Sequence, residues 1–225
     1  CGVWYEILLR TNRHVLLNAF KALGGSYAIA RYLCGKLNIP VDGNSFNVLC
    51  SEEAKATLGT VTFVTATDGN HGRGVAWAAK LLGHKAVVYL PEGSSQERLN
   101  NIRALGAEAE ITKFNYDGAV RLAYAMSRKH GWVLVQDTAW SGYEEIPTWI
   151  MQGYTTMAQE ITAQLNGIMP THLFLQAGVG SMAGAVLGYF AALWQNNLPV
   201  TVICEPDKAA CCIKRQRQTT AHCTK

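Results

Sequence analysis

The chain has 225 residues, 49% of them hydrophobic and 16% charged, with 20 Lys and Arg against 16 Asp and Glu for a net charge of +4. That length and apolar content fill the core of one large domain or two modest ones. They exclude a mainly disordered chain, a collagen, a coiled coil and a small disulfide scaffold.

The charge is uneven: residues 1–207 hold 15 basic and 16 acidic residues, and 208–225 hold 5 basic and none acidic. A near-neutral body lacks the footprint of a nucleic-acid binder, and the basic tail reads as a solvated end. The 7 cysteines show no C-x-x-C spacing, which fits a reducing cytosol. Cys211, Cys212, His222 and Cys223 lack the chelating spacing of a structural zinc site, so no metal is expected. The first residue is Cys and no secretory signal pattern follows it, so a fragment is expected.

In chain order, residues 18–38 carry Phe20, Leu23, Tyr27, Ala30 and Leu33 at helical spacing and predict a helix with one buried face. Residues 39–47, IPVDGNSFN, read as a turn-rich connection. From Thr60 onward short β-branched runs at 61–66, 85–90, 107–112, 132–137, 171–176 and 199–204 alternate with helical stretches. This order predicts an α/β fold with parallel sheets and helices on both faces. Gly83, Gly106 and Gly131 each stand just before a new strand, as left-handed helix stops. Residues 161–204 contain no Asp, Glu, Lys or Arg, but Pro170, His172, Gln176 and the glycines at 178, 180, 184 and 188 favour a buried strand, glycine turn and helix over a membrane span.

Three places carry chemistry. Lys21 lies among apolar neighbours in NAFKALGG, which would desolvate an amine and favour its nucleophilic form; an isolated lysine at a helix start more commonly reaches solvent. TATDGNHGRG (65–74) ends a strand and opens a helix, where parallel sheets bind ligands. Asp68 and Asn70 there also suit helix capping, and His71 receives no catalytic role. QAGVGSMAG (176–184) again joins strand to helix, with glycines that let the backbone approach an anion and Ser181 to add a hydroxyl. Gly178, Gly180 and Ala183 also satisfy the dinucleotide spacing, with Glu205 where a ribose-binding acid would lie; close helix–sheet packing is the plain alternative. A lysine, an Asn-bearing turn and a separate phosphate cradle suit pyridoxal phosphate better than a nicotinamide, because an aldehyde needs an amine, a phosphate a cradle and a phenolic oxygen a donor.

Those segments resemble fold-type II pyridoxal-phosphate enzymes and, within them, the diaminopropionate ammonia-lyase family. The likeness is carried by NAFKALGGSYAIA (18–30), TATDGNHGRGVAWAAKLLG (65–83), YLPEGSSQER (89–98), QDTAWSGYEEIPTWIMQGY (136–154), LQAGVGSMAGAVLGY (175–189) and EPDKA (205–209). The resemblance implies two α/β domains, the larger from 1–52 and 153–225 and the smaller from 53–152, incomplete at both ends. It implies that Lys21 carries pyridoxal 5'-phosphate as an internal aldimine and that Asn70 bonds the pyridoxal oxygen. Gly178, Val179, Gly180, Ser181, Met182, Ala183 and Gly184 would hold the phosphate. Asp68 departs from the small hydroxyl residue of the wider fold type, and a carboxylate there suits a dicationic diamine. Asp68 and Asp137, both at strand ends, are read as acid–base groups; for Asp137 a loop cap before Thr138 is the alternative. The implied reaction is α,β-elimination of 2,3-diaminopropionate to pyruvate and ammonia, in a cytoplasmic homodimer with no membrane or nucleic-acid partner.

The family's acidic stretch before the lysine is replaced here by ILLRTNRHVLL (7–17), and the likeness fades after Ala209. Two alternatives follow: a related serine/threonine dehydratase or synthase, and a truncated, inactive paralogue. A missing final strand or helix would leave an apolar face uncovered.

Overall fold

Apolar runs without alternation mark strands covered on both sides; TFVTA (62–66) and KAVVYL (85–90) have that character at the centre of a four-stranded parallel sheet, while the edge strand EAEI (108–111) alternates exposed and half-buried side chains. The computed structural model describes residues 19–67, 69–209 and 212–213, which fall into two compact units, one within Cys1–Gly153 and one within Tyr154–Lys225. In the first unit, β1 (Thr62–Ala66), β2 (Lys85–Leu90), β3 (Glu108–Ile111) and β4 (Val133–Leu134) lie in the order β3-β2-β1-β4. All three pairings are parallel, with Val64 in register with Val87 on one side and Leu134 on the other.

Around this sheet stand α1 (Lys21–Leu37), α2 (Ser45–Leu49), α3 (Glu52–Leu58), α4 (Asn70–Leu81), α5 (Gln96–Arg103) and α6 (Tyr116–His130). Alternation of side chains along the strands sorts them by face. Val64, Ala66, Val87, Tyr89 and Leu134 pack with Ala119 and Ala123 of α6. On the other face Phe63 meets Tyr32 of α1 edge-on at 6.0 Å.

The helix ends follow from local chemistry. Ser51, Ser95 and Asn115 each accept a hydrogen bond from the third backbone N–H after them, capping α3, α5 and α6. The predicted glycine stops have left-handed backbones, with φ +77 at Gly83, +85 at Gly106 and +68 at Gly131. The connection expected over 39–47 is shorter than predicted: Asp42 Oδ1 accepts from the Asn44 N–H at 2.9 Å, and Ser45 already opens α2. A helix of five residues is too short to write a period into the sequence.

The second unit pairs β5 (His172–Gln176) in parallel with β6 (Val200–Cys204). α7 (Glu145–Leu165) ends in this unit, and α8 (Ser181–Trp194) follows β5. Leu175 and Ala177 pack with Ala158, Ala183, Val186 and Phe190. Phe174, 66% exposed, and Val200, 60% exposed, point away from that cluster. The uncharged stretch 161–204 thus resolves into the end of α7, β5, α8 and β6. Among the described residues no helix is long and apolar enough to cross a membrane.

Candidate active site

Lys21 is the first residue of α1, where Phe20 supplies no side-chain cap and the first turn holds no acid. A cation there opposes the positive end of the helix dipole, so a counter-charge must come from elsewhere in the fold. It comes from Asp137: Lys21 Nζ donates to Asp137 Oδ2 at 2.5 Å. The Lys21 side chain is 27% exposed and that of Asp137 4%. The amine therefore does not sit in the apolar surroundings expected from its neighbours in sequence. It meets a buried carboxylate 116 positions away.

The third member of this cluster is His71, in the first turn of α4. Its Nε2 lies 2.7 Å from the Val135 carbonyl oxygen, and its Nδ1 is 4.0 Å from Asp137 Oδ2. Burial pushes its pKa down against the opposing pull of Asp137 and the Val135 bond, with Lys21 adding to the fall. A neutral ring with the proton on Nε2 satisfies the Val135 carbonyl and leaves Nδ1, buried and without a hydrogen-bond partner, as a lone pair toward the carboxylate. For Asp137, burial works against ionisation, but the field of His71 when its ring is protonated, the field of Lys21 and the hydrogen bond from Lys21 hold its carboxyl below the ordinary range. With His71 neutral, the Lys21 ammonium is the standing charge on which Asp137 relies.

The strand predicted over 132–137 is paired only at Val133 and Leu134. Val135 N–H still donates to the Val64 carbonyl at 2.8 Å, and then a side chain replaces the ladder. The Gln136 Oε1 accepts from the Ala66 N–H at 3.0 Å and the Thr65 hydroxyl at 3.1 Å. The main chain leaves the sheet there and presents Asp137 to Lys21. Tyr143 completes the edge, its hydroxyl donating to the Leu134 carbonyl at 2.9 Å and accepting from the Gln136 N–H at 2.8 Å.

Of the other predicted residues, Asn70 is exposed at the start of α4, beyond the C-terminal end of β1. The cap position of that helix is Gly69, with no side-chain bond; the Thr67 hydroxyl accepts from the Gly69 N–H at 3.0 Å. Asp68 lies outside the described residues, as do Cys211, His222 and Cys223.

The glycine turn belongs to the second unit. Gly180, at φ +88, is the cap residue of α8 and offers no side chain. The N–H groups of the first helical turn, beginning with Ser181, Met182 and Ala183, have no intrahelical partner and are an anion site in waiting. A Cβ placed on Gly178 would meet nothing within 4 Å. Glu205, a candidate ribose acid, is engaged locally: its Oε1 accepts from the Cys212 N–H at 2.8 Å and its Oε2 from the Ile213 N–H at 3.0 Å. Taken unit by unit, the partly exposed Lys21 amine and the exposed Asn70 amide of the first have the chemistry to meet an aldehyde and a phenolic oxygen, and the uncapped glycine turn of the second has the chemistry to meet a phosphate.

Gln136 and Tyr143 escaped sequence reasoning, since nothing in one sequence distinguishes a network glutamine from a surface one; His71, given no catalytic role there, is buried beside Asp137.

A family model described as pyridoxal-phosphate dependent enzyme matches residues 10–224, and the chain belongs to that family, whose cofactor is pyridoxal phosphate. The chain is 60% identical to diaminopropionate ammonia-lyase of Salmonella typhimurium over 198 residues, covering 87% of this chain and 49% of that protein. The same enzyme of Escherichia coli K12 is 54% identical over 198 residues, 87% of this chain and 48% of that one. The crystal structure of the selenomethionine holo enzyme from Escherichia coli superposes with a TM-score of 0.83 at 51% identity, covering 90% of this chain and 51% of that one. The Escherichia coli enzyme in complex with an aminoacrylate-PLP azomethine reaction intermediate gives 0.82 at 52% identity, covering 90% and 51%. The fold is that of the fold-type II enzymes, and the chain spans about half the length of the curated relatives it matches.

Proposed function

We propose that this chain carries part of the machinery of a pyridoxal-phosphate-dependent ammonia-lyase. Its reaction would be the α,β-elimination of 2,3-diaminopropionate, which with one water gives pyruvate and two ammonia molecules. The observation that carries this reading is the 2.5 Å pair of Lys21 and Asp137 at the C-terminal end of the first sheet, the end at which parallel sheets bind ligands. The relatives at 54% and 60% identity bear that activity in their names.

Lys21 Nζ would hold the aldehyde carbon, Asn70 the ring oxygen, and Gly178, Val179, Gly180, Ser181, Met182, Ala183 and Gly184 the phosphate. When bound, the cofactor supplies an electron sink that acidifies the substrate Cα–H. Lys21, once free of the aldehyde carbon, would take up the substrate proton beside the ionised Asp137, and the ammonium so formed would pass a proton to the departing β-amine. His71, its Nε2 proton committed to Val135, keeps the back of the site neutral. Asp68 would supply a second carboxylate suited to a diamine.

The resemblance also supports a homodimer and the joining of 1–52 with 153–225 in a larger domain beside 53–152. Free thiols at Cys34, Cys50, Cys204 and Cys212 suit a cytoplasmic setting. The test is addition of pyridoxal phosphate to the purified chain and to Lys21→Ala, borohydride reduction, peptide mapping and assay of ammonia from 2,3-diaminopropionate, serine and threonine. The expected result is label on Lys21 and ammonia from the diamine in preference to the hydroxy amino acids. A folded chain that takes no label would overturn the reading.

A further inference from the structure

We infer that Gln136 is the positioning residue of this site: its side chain ends the β1–β4 ladder and thereby turns Asp137 out of the sheet onto Lys21. The inference rests on the role proposed for the Lys21–Asp137 pair.

The amide orientation follows from an obligate donor. Ala66 N–H can only donate, so the atom 3.0 Å from it must be the carbonyl Oε1. The amide nitrogen then faces the other way, toward the Tyr116 hydroxyl at 3.0 Å and Asp137 Oδ1 at 3.4 Å. Gln136 is fully buried, and its side chain thus spans β1, the start of α6 and the catalytic carboxylate.

The consequence is geometric. In a continued parallel ladder a backbone carbonyl of the edge strand would take the Ala66 N–H, and the residues after Leu134 would stay in the sheet plane. With Gln136 Oε1 in that place and the Tyr143 hydroxyl on the Gln136 N–H, the backbone is released one residue before Asp137 without leaving a buried donor unmet. The carboxylate then meets two fixed neighbours, Lys21 with one oxygen and the Gln136 amide with the other. Among the described residues the titratable groups facing Asp137 are Lys21 from α1, His71 from α4 and Tyr143 from the segment before α7.

A double-mutant cycle decides the matter. The rate at which pyridoxal phosphate attaches to Lys21 is measured by borohydride trapping and peptide mapping for the wild type, Gln136→Leu, Asp137→Asn and the double variant. An amine held in an ion pair must release its proton before it can attack an aldehyde, so Asp137→Asn speeds attachment. Gln136→Leu should speed it by about threefold or more in the wild type and leave it unchanged in the Asp137→Asn background. A merely structural glutamine would lower the melting temperature and leave the rate alone, or act equally in both backgrounds; either result overturns the inference.

Gln136→Glu covers the case in which Gln136→Leu does not fold, because it keeps the acceptor for Ala66 and sets a second carboxylate against Asp137. Melting curves without cofactor from about pH 4 to about pH 7 should show a deficit that widens with pH and shrinks by about half or more when Asp137 is replaced by Asn. An equal deficit in both backgrounds overturns the inference. If wild-type Lys21 takes no label while the melting arm shows the coupling, the cofactor reading fails and the placement of Asp137 by Gln136 stands.

Discussion

Gly74 and Lys21 meet backbone to backbone. A Cβ on Gly74 would stand 3.0 Å from the Lys21 carbonyl oxygen and 2.9 Å from the Ala22 Cα, so α4 reaches the start of α1 only because residue 74 has no side chain. The strand-end turn and the lysine helix are thereby locked together at the residue that carries the amine.

Replacing Gly74 by Ala should therefore act on both stability and chemistry. Overpacking against rigid backbone costs about 1–3 kcal/mol, and the first turn of α1 must move to relieve it. Denaturant unfolding should show the loss, and borohydride trapping at Lys21 should fall with it. Unchanged trapping in a destabilised variant would mean that α1 yields away from the amine.

Asp137→Asn removes the charge and keeps the shape. If Asp137 moves protons in the elimination, ammonia release from 2,3-diaminopropionate should drop by about 10²-fold or more, with Asp68→Asn measured in parallel. Wild-type rates in either variant would take that carboxylate out of the mechanism.

The pH dependence of stability separates Asp137 from His71. The Asp137 carboxyl is held below its ordinary value of 3.8, so its contribution is complete above that value and is lost as the pH falls through the lower native one. His71 is held below 6.5; the unfolded chain takes up that proton first, so stability falls as the pH drops below 6.5. His71→Gln, whose amide nitrogen can still reach Val135, should flatten the melting profile just below 6.5. Asp137→Asn should remove the more acidic limb and, by withdrawing the charge that pulls the His71 pKa up, deepen the fall below 6.5.

At Gly180 the backbone is left-handed, φ +88, and a Cβ would also lie 3.3 Å from Cys212 Sγ. Gly180→Ala adds strain of about 1–2 kcal/mol at the turn proposed to cradle the phosphate. The dissociation constant for pyridoxal phosphate, from absorbance titration, should rise. An unaltered constant would place the phosphate elsewhere.

The sequence by itself determined the alternation of strand and helix, the glycine stops and the three segments that hold the candidate chemistry. These are local properties: side-chain periodicity, β-branching and the special backbone of glycine act within a few residues. Lys21 and the 178–184 turn were visible as candidates for that reason, whereas Asp137 stood out only as a strand-end residue within the segments that resemble the ammonia-lyase family. Only the tertiary structure decided that Lys21 faces Asp137 rather than apolar side chains, since that contact joins residues 116 positions apart. The same holds for β4, predicted as a strand over 132–137 but paired over two residues, where the Gln136 side chain takes the Ala66 N–H that the next carbonyl of a continued ladder would take. Gly74 and Gln136 look ordinary in one dimension, and what they do depends on the backbones brought against them, which no pattern of neighbours encodes.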